Sequence, residues 1–246
     1  MTKIFKLLCL ILLPCSLFAN SGRIIFHRIP KTGGSTVKNF LFFHFSKEKI
    51  LPQSLQYKIE GRTLSELSQY NLIQGHFLFP RFGGLPGRKI TFLREPIQRI
   101  LSAHRYYKEK YKCSDQMSKD HLYAPGDPLI VIQNHQCKFL SSLDINDPAI
   151  TDKQHLESAK YNLEHNFFFV GITEDLNRGL PILAALLGFK PPDTVPTLNT
   201  TKKPKIPYSK TVLQEIRNRN VEDIELYRFA KALYEKRFKT LHKVVP

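Results

Sequence analysis

The feature that most constrains the fold is a short apolar run that ends at a proline and is followed by two glycines. Residues 24–29, with the sequence IIFHRI, are rich in β-branched and aromatic side chains, which is typical of a buried strand. Pro30 ends this strand because it has no amide hydrogen to donate to a sheet. Gly33 and Gly34 then indicate a turn, and residues 35–43 have the apolar spacing of a helix. The segment therefore predicts a strand–loop–helix unit.

The loop of this unit carries hydrogen-bond donors that suit an anion. The amides of a helix's first residues point outward with a positive dipole behind them, and Lys31 adds a full charge. Three hydroxyl side chains add further donors: Thr32, Ser35 and Thr36. Taken alone, these residues leave open an ordinary turn in which the serine and threonines only cap the helix.

A second strand–helix unit follows at residues 88–107. Residues 88–94 indicate a strand, and Pro96 suits the first position of a helix. Arg94 ends the strand with a planar guanidinium that can bind a phosphate through two parallel hydrogen bonds, and Ser102 can donate from the helix. An ion pair of Arg94 with a neighbouring acid, and a packing role for Ser102, are the alternatives.

A histidine lies between the two units, at the end of the strand predicted over residues 71–76. Ligands of open α/β sheets bind beyond the carboxyl ends of the strands, so we expect His76 to face the same crevice as Lys31 and Arg94. A neutral imidazole there can take a proton from a weak nucleophile. His104 is the alternative base. We expect structural or solvated roles for six histidines, this one included: His27, His44, His104, His121, His135 and His155.

Both units resemble segments of a known enzyme family. Residues 30–36, PKTGGST, resemble the 5′-phosphosulfate loop of sulfotransferases that use 3′-phosphoadenosine 5′-phosphosulfate (PAPS). Residues 91–102, TFLREPIQRILS, are similar to the 3′-phosphate segment of these enzymes. The likeness is strongest to the carbohydrate branch that includes the heparan sulfate 2-O-sulfotransferases. A Walker A loop does not fit, because the lysine here precedes the glycines.

The resemblance implies a sulfotransferase that moves a sulfuryl group from PAPS to a carbohydrate hydroxyl. It implies His76 as the general base and Lys31 as the cation that stabilises the leaving phosphate, with no metal required. Residues 198–203 resemble a late loop that closes over the nucleotide in these enzymes. The residues implied to bind the donor are Lys31, Thr32, Gly33, Gly34, Ser35, Thr36, Arg94, Ser102, Thr200, Thr201 and Lys202.

The charge of the chain favours an anionic partner. The net charge of +16 suits a nucleotide, a nucleic acid, a polyanionic glycan or a membrane surface. No Arg/Gly repeat or zinc-finger spacing favours nucleic acid. We therefore expect an anionic or neutral glycan acceptor, with Arg28, Arg81 and Arg105 as candidate acceptor-binding residues. A secreted polyanion-binding protein without catalysis and a nucleotide phosphotransferase on a related fold are the alternatives. The sequence does not indicate an oligomeric state.

The first residues have the pattern of a signal peptide. Two lysines precede an apolar stretch in residues 1–19, with a cleavage site after Ala19; an uncleaved membrane anchor is the alternative. We expect a location in the secretory pathway or outside the cell.

Cleavage would leave Cys113 and Cys137, which could form a disulfide in an oxidising compartment or be two unrelated thiols.

Residues 20–246 are predicted to form a single α/β domain. Strands that alternate with helices predict a three-layer sandwich around a central parallel sheet, and the resemblance implies the P-loop-like sulfotransferase version of this fold. The predicted strands are residues 24–29, 71–76, 88–94 and 167–172. The predicted helices are residues 35–43, 62–67, 97–107, 129–143, 152–163, 173–187 and 210–243, the last with a break near Asn220.

Overall fold

A computed structural model describes residues 22–52, 62–111, 133–195 and 208–239. Its centre is a sheet of four parallel strands. The strands are β1 (Ile24–His27), β2 (Leu72–Gly75), β3 (Arg88–Leu93) and β4 (Phe169–Ile172). Every residue of β1, β2 and β4 is buried, and successive side chains of a strand point to opposite faces. Both faces of the sheet are therefore covered, as a parallel sheet requires.

The strand order β2-β1-β3-β4 creates the crevice at which a ligand can bind. The chain runs from β1 to β2 on one side and then returns across β1 to place β3 on its other side. The connections after β1 and after β3 therefore leave the sheet in opposite directions. Open α/β sheets bind ligands at such a switch point, beyond the carboxyl ends of the strands.

The helices that flank the sheet begin and end at local signals. Thr63 caps a short helix in a reciprocal capping box with Glu66, and Thr151 forms the same box with Gln154. The helices are α1 (Gly34–Phe43), α2 (Leu64–Ser68), α3 (Pro96–Tyr111), α4 (His135–Leu140), α5 (Asp152–His165), α6 (Leu176–Leu187), α7 (Lys210–Asn218) and α8 (Val221–Phe238).

The predicted α/β class with a central parallel sheet is confirmed. Pro96 is the first residue of α3, and the terminal helix breaks at Arg219 and Asn220, both as predicted. Several elements, including all four strands, are shorter than expected. The strand predicted from Phe167 begins at Phe169, and the helix predicted to Leu143 ends at Leu140, because Ser141 is already extended.

Several predictions concern residues outside the described ranges. They include the leader at residues 1–19, the late loop with Thr200, Thr201 and Lys202, and the first cysteine of the predicted disulfide, Cys113. Cys137 is buried and has no partner cysteine among the described residues, and because Cys113 lies outside them the pairing stays a prediction. None of the helices in the described ranges combines the length and the apolar composition needed to cross a membrane.

Candidate active site

The loop after β1 has a left-handed backbone at two residues. The φ angle is +70° at Lys31 and +75° at Gly33. Non-glycine residues rarely adopt such angles, and local backbone of this kind can turn successive amides toward one point, forming an anion-binding nest. Gly33, which has no side chain, is the N-cap residue of α1. The loop therefore has a backbone geometry that suits an anion.

The end of β3 is attached to this loop. The Nη1 atom of Arg94 donates to the carbonyl oxygen of Lys31 at 3.1 Å. Just after β4, the Thr173 hydroxyl lies 2.9 Å from two carbonyl oxygens, those of Thr32 and Leu93. These contacts hold the connections after β1 and β3 together at the switch point. Lys31 and Arg94 therefore lie side by side, as predicted.

The surroundings of Lys31 lower the affinity of its amine for a proton. Partial burial, followed by the nearby cations Arg94 and Arg105, lowers its pKa to about 8, whereas Glu109 opposes the shift. The Nζ atom lies 4.2 Å from the centre of the Tyr106 ring, within the range of a cation–π contact. The site thus collects cations that a bound polyanion would neutralise.

Arg94 is also partly balanced by an acid. Its Nε atom lies 3.9 Å from a carboxylate oxygen of Glu174, which also accepts from the amide of Glu95 at 3.1 Å. The second oxygen of Glu174 accepts from the Tyr227 hydroxyl at 2.9 Å. Burial lowers the pKa of Arg94, and Glu174 opposes that shift. Glu174 therefore orients the guanidinium in addition to balancing its charge.

His76 follows β2 and is half-buried. Its Nδ1 atom donates to the carbonyl oxygen of Arg28 at 2.7 Å, because a carbonyl can only accept. The neutral ring then has its lone pair on Nε2. The guanidinium of Arg28 donates to Gln74 at 2.8 Å, and its Nε lies 3.1 Å from where a Cβ on Gly34 would be. Arg28 thus lies between His76 and the start of α1.

Three other described histidines have the structural surroundings expected for them. His27 is fully buried, and burial lowers its pKa to about 3. His135 is also fully buried, and burial with the nearby Arg99 holds its pKa well below the usual range. The alternative base, His104, is buried and hydrogen-bonded to the Tyr208 hydroxyl. His76 is more exposed than these three, which favours it as the base.

The sequence profile of the sulfotransferase family matches residues 16–235, which is most of the chain. The chain belongs to the sulfotransferase family.

Curated relatives match part of this chain. Heparan-sulfate 6-O-sulfotransferase 2 from Homo sapiens is 26% identical over 185 residues, 63% of this chain and 30% of that protein. Heparan sulfate 2-O-sulfotransferase 1 from Cricetulus griseus is 25% identical over 195 residues, 67% of this chain and 54% of that protein. The chain thus spans about half the length or less of these two relatives. The predicted resemblance is confirmed, and the relatives include 6-O- as well as 2-O-sulfotransferases.

One solved structure also matches the chain. Mouse sulfotransferase SULT7A1 complexed with PAP is 15% identical, with a TM-score of 0.37 over 84% of this chain and 67% of that chain.

The remaining predicted residues lie on α3 and on a turn after β2. Arg105 on α3 is close enough to Lys31 to lower its pKa. Ser102, one turn earlier on α3, is half-buried. Arg81 is exposed at the end of a 3₁₀ turn, Phe79–Arg81. In the parts of the chain that the structure describes, no group of three or more acidic, histidine or cysteine side chains is arranged to hold a metal ion.

Some residues at the site were not assigned from the sequence. The resemblance pointed to Thr173 and Glu174 as a matching pair without giving them a role, and Tyr106 and Gln136 were not singled out. Each of the four contacts a residue at least 42 positions away in the chain. Local sequence patterns cannot reveal such contacts.

Proposed function

We propose that this protein transfers a sulfuryl group from PAPS to a hydroxyl of a carbohydrate. One observation carries the proposal: Arg94 donates to the carbonyl of Lys31 at 3.1 Å, so the two phosphate-binding motifs share one crevice at the switch point of the sheet. A molecule with phosphates at both ends, such as PAPS, can therefore contact both motifs at once.

The donor is proposed to lie with its two ends on different strands. The amides around Lys31 and Gly33, with the hydroxyls of Ser35 and Thr36, would bind the 5′-phosphosulfate. Arg94 and Ser102 would bind the 3′-phosphate. The proposal further includes Thr32, Gly34 and, from the late loop, Thr200, Thr201 and Lys202. Thr32 would act through the loop conformation, because its hydroxyl donates to the Ile29 carbonyl at 2.9 Å.

The proposed reaction is an in-line displacement at sulfur. A lone pair of the acceptor oxygen forms the new O–S bond while the bond from sulfur to the 5′-phosphate oxygen breaks and leaves its electron pair on that oxygen. Nε2 of His76 takes the acceptor proton, and Lys31 stabilises the charge that grows on the leaving phosphate. The products are adenosine 3′,5′-bisphosphate and a sulfated glycan. No step of this scheme uses a metal.

The proposed acceptor is a glycosaminoglycan-like glycan. The names of the relatives, heparan sulfate 2-O- and 6-O-sulfotransferases, and the net charge of +16 support this class. The carbonyl of Arg28 contacts His76, Arg105 lies near Lys31 and Arg81 is exposed, and we assign all three to the acceptor. We also propose a single domain over residues 20–246, a leader at residues 1–19 that directs the protein to the secretory pathway or anchors it to a membrane, and a disulfide between Cys113 and Cys137.

The direct test is transfer of label from radiolabelled PAPS to a panel of desulfated glycans. We expect transfer by the wild type, unaffected by a metal chelator, and a loss of at least ~100-fold in kcat for His76→Ala and for Lys31→Ala. His165→Ala is the matched control, because His165 is exposed on the last turn of α5. Near-normal turnover of His76→Ala would contradict the base assignment. Phosphate transfer from ATP, or no transfer at all, would contradict the proposed reaction.

A further inference from the structure

The main chain of Arg94 is held by a side chain from another element. Gln136, on the first turn of α4, is fully buried. Its Oε1 atom accepts from the Arg94 amide at 3.0 Å, and its Nε2 atom donates to the Arg94 carbonyl at 2.9 Å. A neighbouring strand would make the same pair of bonds. The carboxamide therefore continues the hydrogen bonding of β3 by one residue, at the point where the strand ends.

Gln136 is in turn fixed by a buried acid on α8. The two oxygens of Asp223 accept from the amides of Gln136 at 3.0 Å and Cys137 at 2.8 Å. Asp223 is fully buried; burial raises its pKa, while the equally buried Arg99 opposes that shift. The amide of Asp223 donates to the Asn134 side chain at 3.2 Å. Hydrogen bonds thus run without a gap from the start of α8 to Arg94.

The position of the Arg94 main chain decides where its guanidinium can reach. A long side chain amplifies any rotation of the peptide that carries it, and a displacement of about 1 Å is enough to weaken a charge-assisted hydrogen bond. The Arg94 side chain is 24% exposed, with one guanidinium nitrogen on the Lys31 carbonyl and another near Glu174. The guanidinium is attached through a flexible side chain, so its position depends on the main chain of Arg94. Gln136 fixes that main chain, because it bonds both the amide and the carbonyl of Arg94.

We propose that Gln136 is a positioning residue that sets the affinity of Arg94 for the 3′-phosphate of the nucleotide. This inference rests on the proposed function, because it assumes that Arg94 binds that phosphate. Gln136 itself touches no substrate in this account. A methionine has nearly the volume of glutamine but can make neither bond, so Gln136→Met removes the two contacts and leaves the packing.

The test compares two nucleotides that differ only in the 3′-phosphate. Adenosine 3′,5′-bisphosphate and adenosine 5′-monophosphate are titrated into the full chain by calorimetry. We expect Gln136→Met to weaken binding of the bisphosphate by about tenfold, equivalent to about 1.4 kcal/mol, with the monophosphate little changed. If Gln136→Met does not fold, Gln136→Asn replaces it. Its side chain is one methylene shorter, so we expect it to weaken binding of the bisphosphate in the same way.

Asn162→Leu is the matched control. Asn162 is a buried amide on α5 that donates to the Leu140 carbonyl at 2.7 Å, so its loss also removes a buried bond, but it has no contact with Arg94. We expect it to lower stability and leave the ratio of the two affinities unchanged. A wild-type ratio in both Gln136 variants, or equal weakening of both nucleotides, would overturn the inference. Equal affinity of the wild type for the two nucleotides would instead overturn the proposed function.

Discussion

The proposed donor side and the proposed acceptor side of the crevice differ in how firmly their cations are held. On the donor side, the carbonyl of Lys31, the guanidinium of Arg94 and the acid Glu174 are joined by direct contacts, and Thr173 ties the two connections together. On the acceptor side, Arg81 is exposed on a 3₁₀ turn. Arg28 is an intermediate case. Its guanidinium is fixed by a hydrogen bond to Gln74, and its carbonyl oxygen accepts from His76.

This difference matches the two proposed ligands. A nucleotide with a phosphate at each end needs donors at fixed separations, and pre-organised donors lose little entropy when it binds. A long polyanion can be attracted by exposed cations whose positions are less constrained, at the cost of sensitivity to salt. We therefore expect changes on the donor side to have large effects and changes on the acceptor side to have small, salt-dependent ones.

The charge of Lys31 gives the largest of the effects expected here. Its pKa is lowered to about 8 by partial burial and by Arg94 and Arg105, so the amine loses its proton as pH rises through that value. We expect the affinity for adenosine 3′,5′-bisphosphate to fall by roughly tenfold between about pH 7 and about pH 9.5. In Lys31→Arg the guanidinium stays charged, so its affinity should be flat. If calorimetric titrations show that the wild-type affinity does not change with pH, the role given to the charge of Lys31 is wrong.

Glycines on the two sides should respond differently to alanine. Gly33 has φ +75°, and a Cβ there would lie 2.9 Å from the Leu176 side chain, so Gly33→Ala should lower the free energy of unfolding by ~1–2 kcal/mol. Gly84 lies in the loop after Arg81, and a Cβ there would meet no atom within 4 Å, so Gly84→Ala should change the same free energy by less than about 0.5 kcal/mol. Equal shifts in urea denaturation would show that the donor loop is not strained.

The smallest effect is expected on the acceptor side. Arg81→Ala should raise the KM for a polyanionic glycan about two- to threefold at low ionic strength and leave it unchanged at high salt, because an exposed charge is screened. The affinity for adenosine 3′,5′-bisphosphate should not change. Arg81 would belong to the donor side after all if the variant bound that nucleotide more weakly.

The elements could be predicted from the sequence because their signals are local. Pro96 at a helix start, the glycines after β1 and the capping box at Thr63 each act within a few residues. The adjacency of Lys31 and Arg94 also followed, because the carboxyl ends of parallel strands meet at one edge of the sheet.

The contacts that hold the site could not be predicted in the same way. Gln136 reaches Arg94 across 42 positions, and Thr173 reaches Thr32 across 141. Each depends on how far a helix or strand is displaced when the core packs. No periodicity in the sequence encodes such a displacement. The tautomer of His76 was equally hidden, since the acceptor that fixes it is the backbone carbonyl of Arg28.

The central claim is that Lys31 and Arg94 bind opposite ends of one nucleotide. The most direct measurement titrates the wild type with adenosine 3′,5′-bisphosphate and, separately, with the 3′- and 5′-monophosphates. The account predicts one binding site in which the bisphosphate binds at least ~10-fold more tightly than either monophosphate, because each lacks one charge-assisted contact. Three equal affinities, as expected for a generic basic surface, would contradict it.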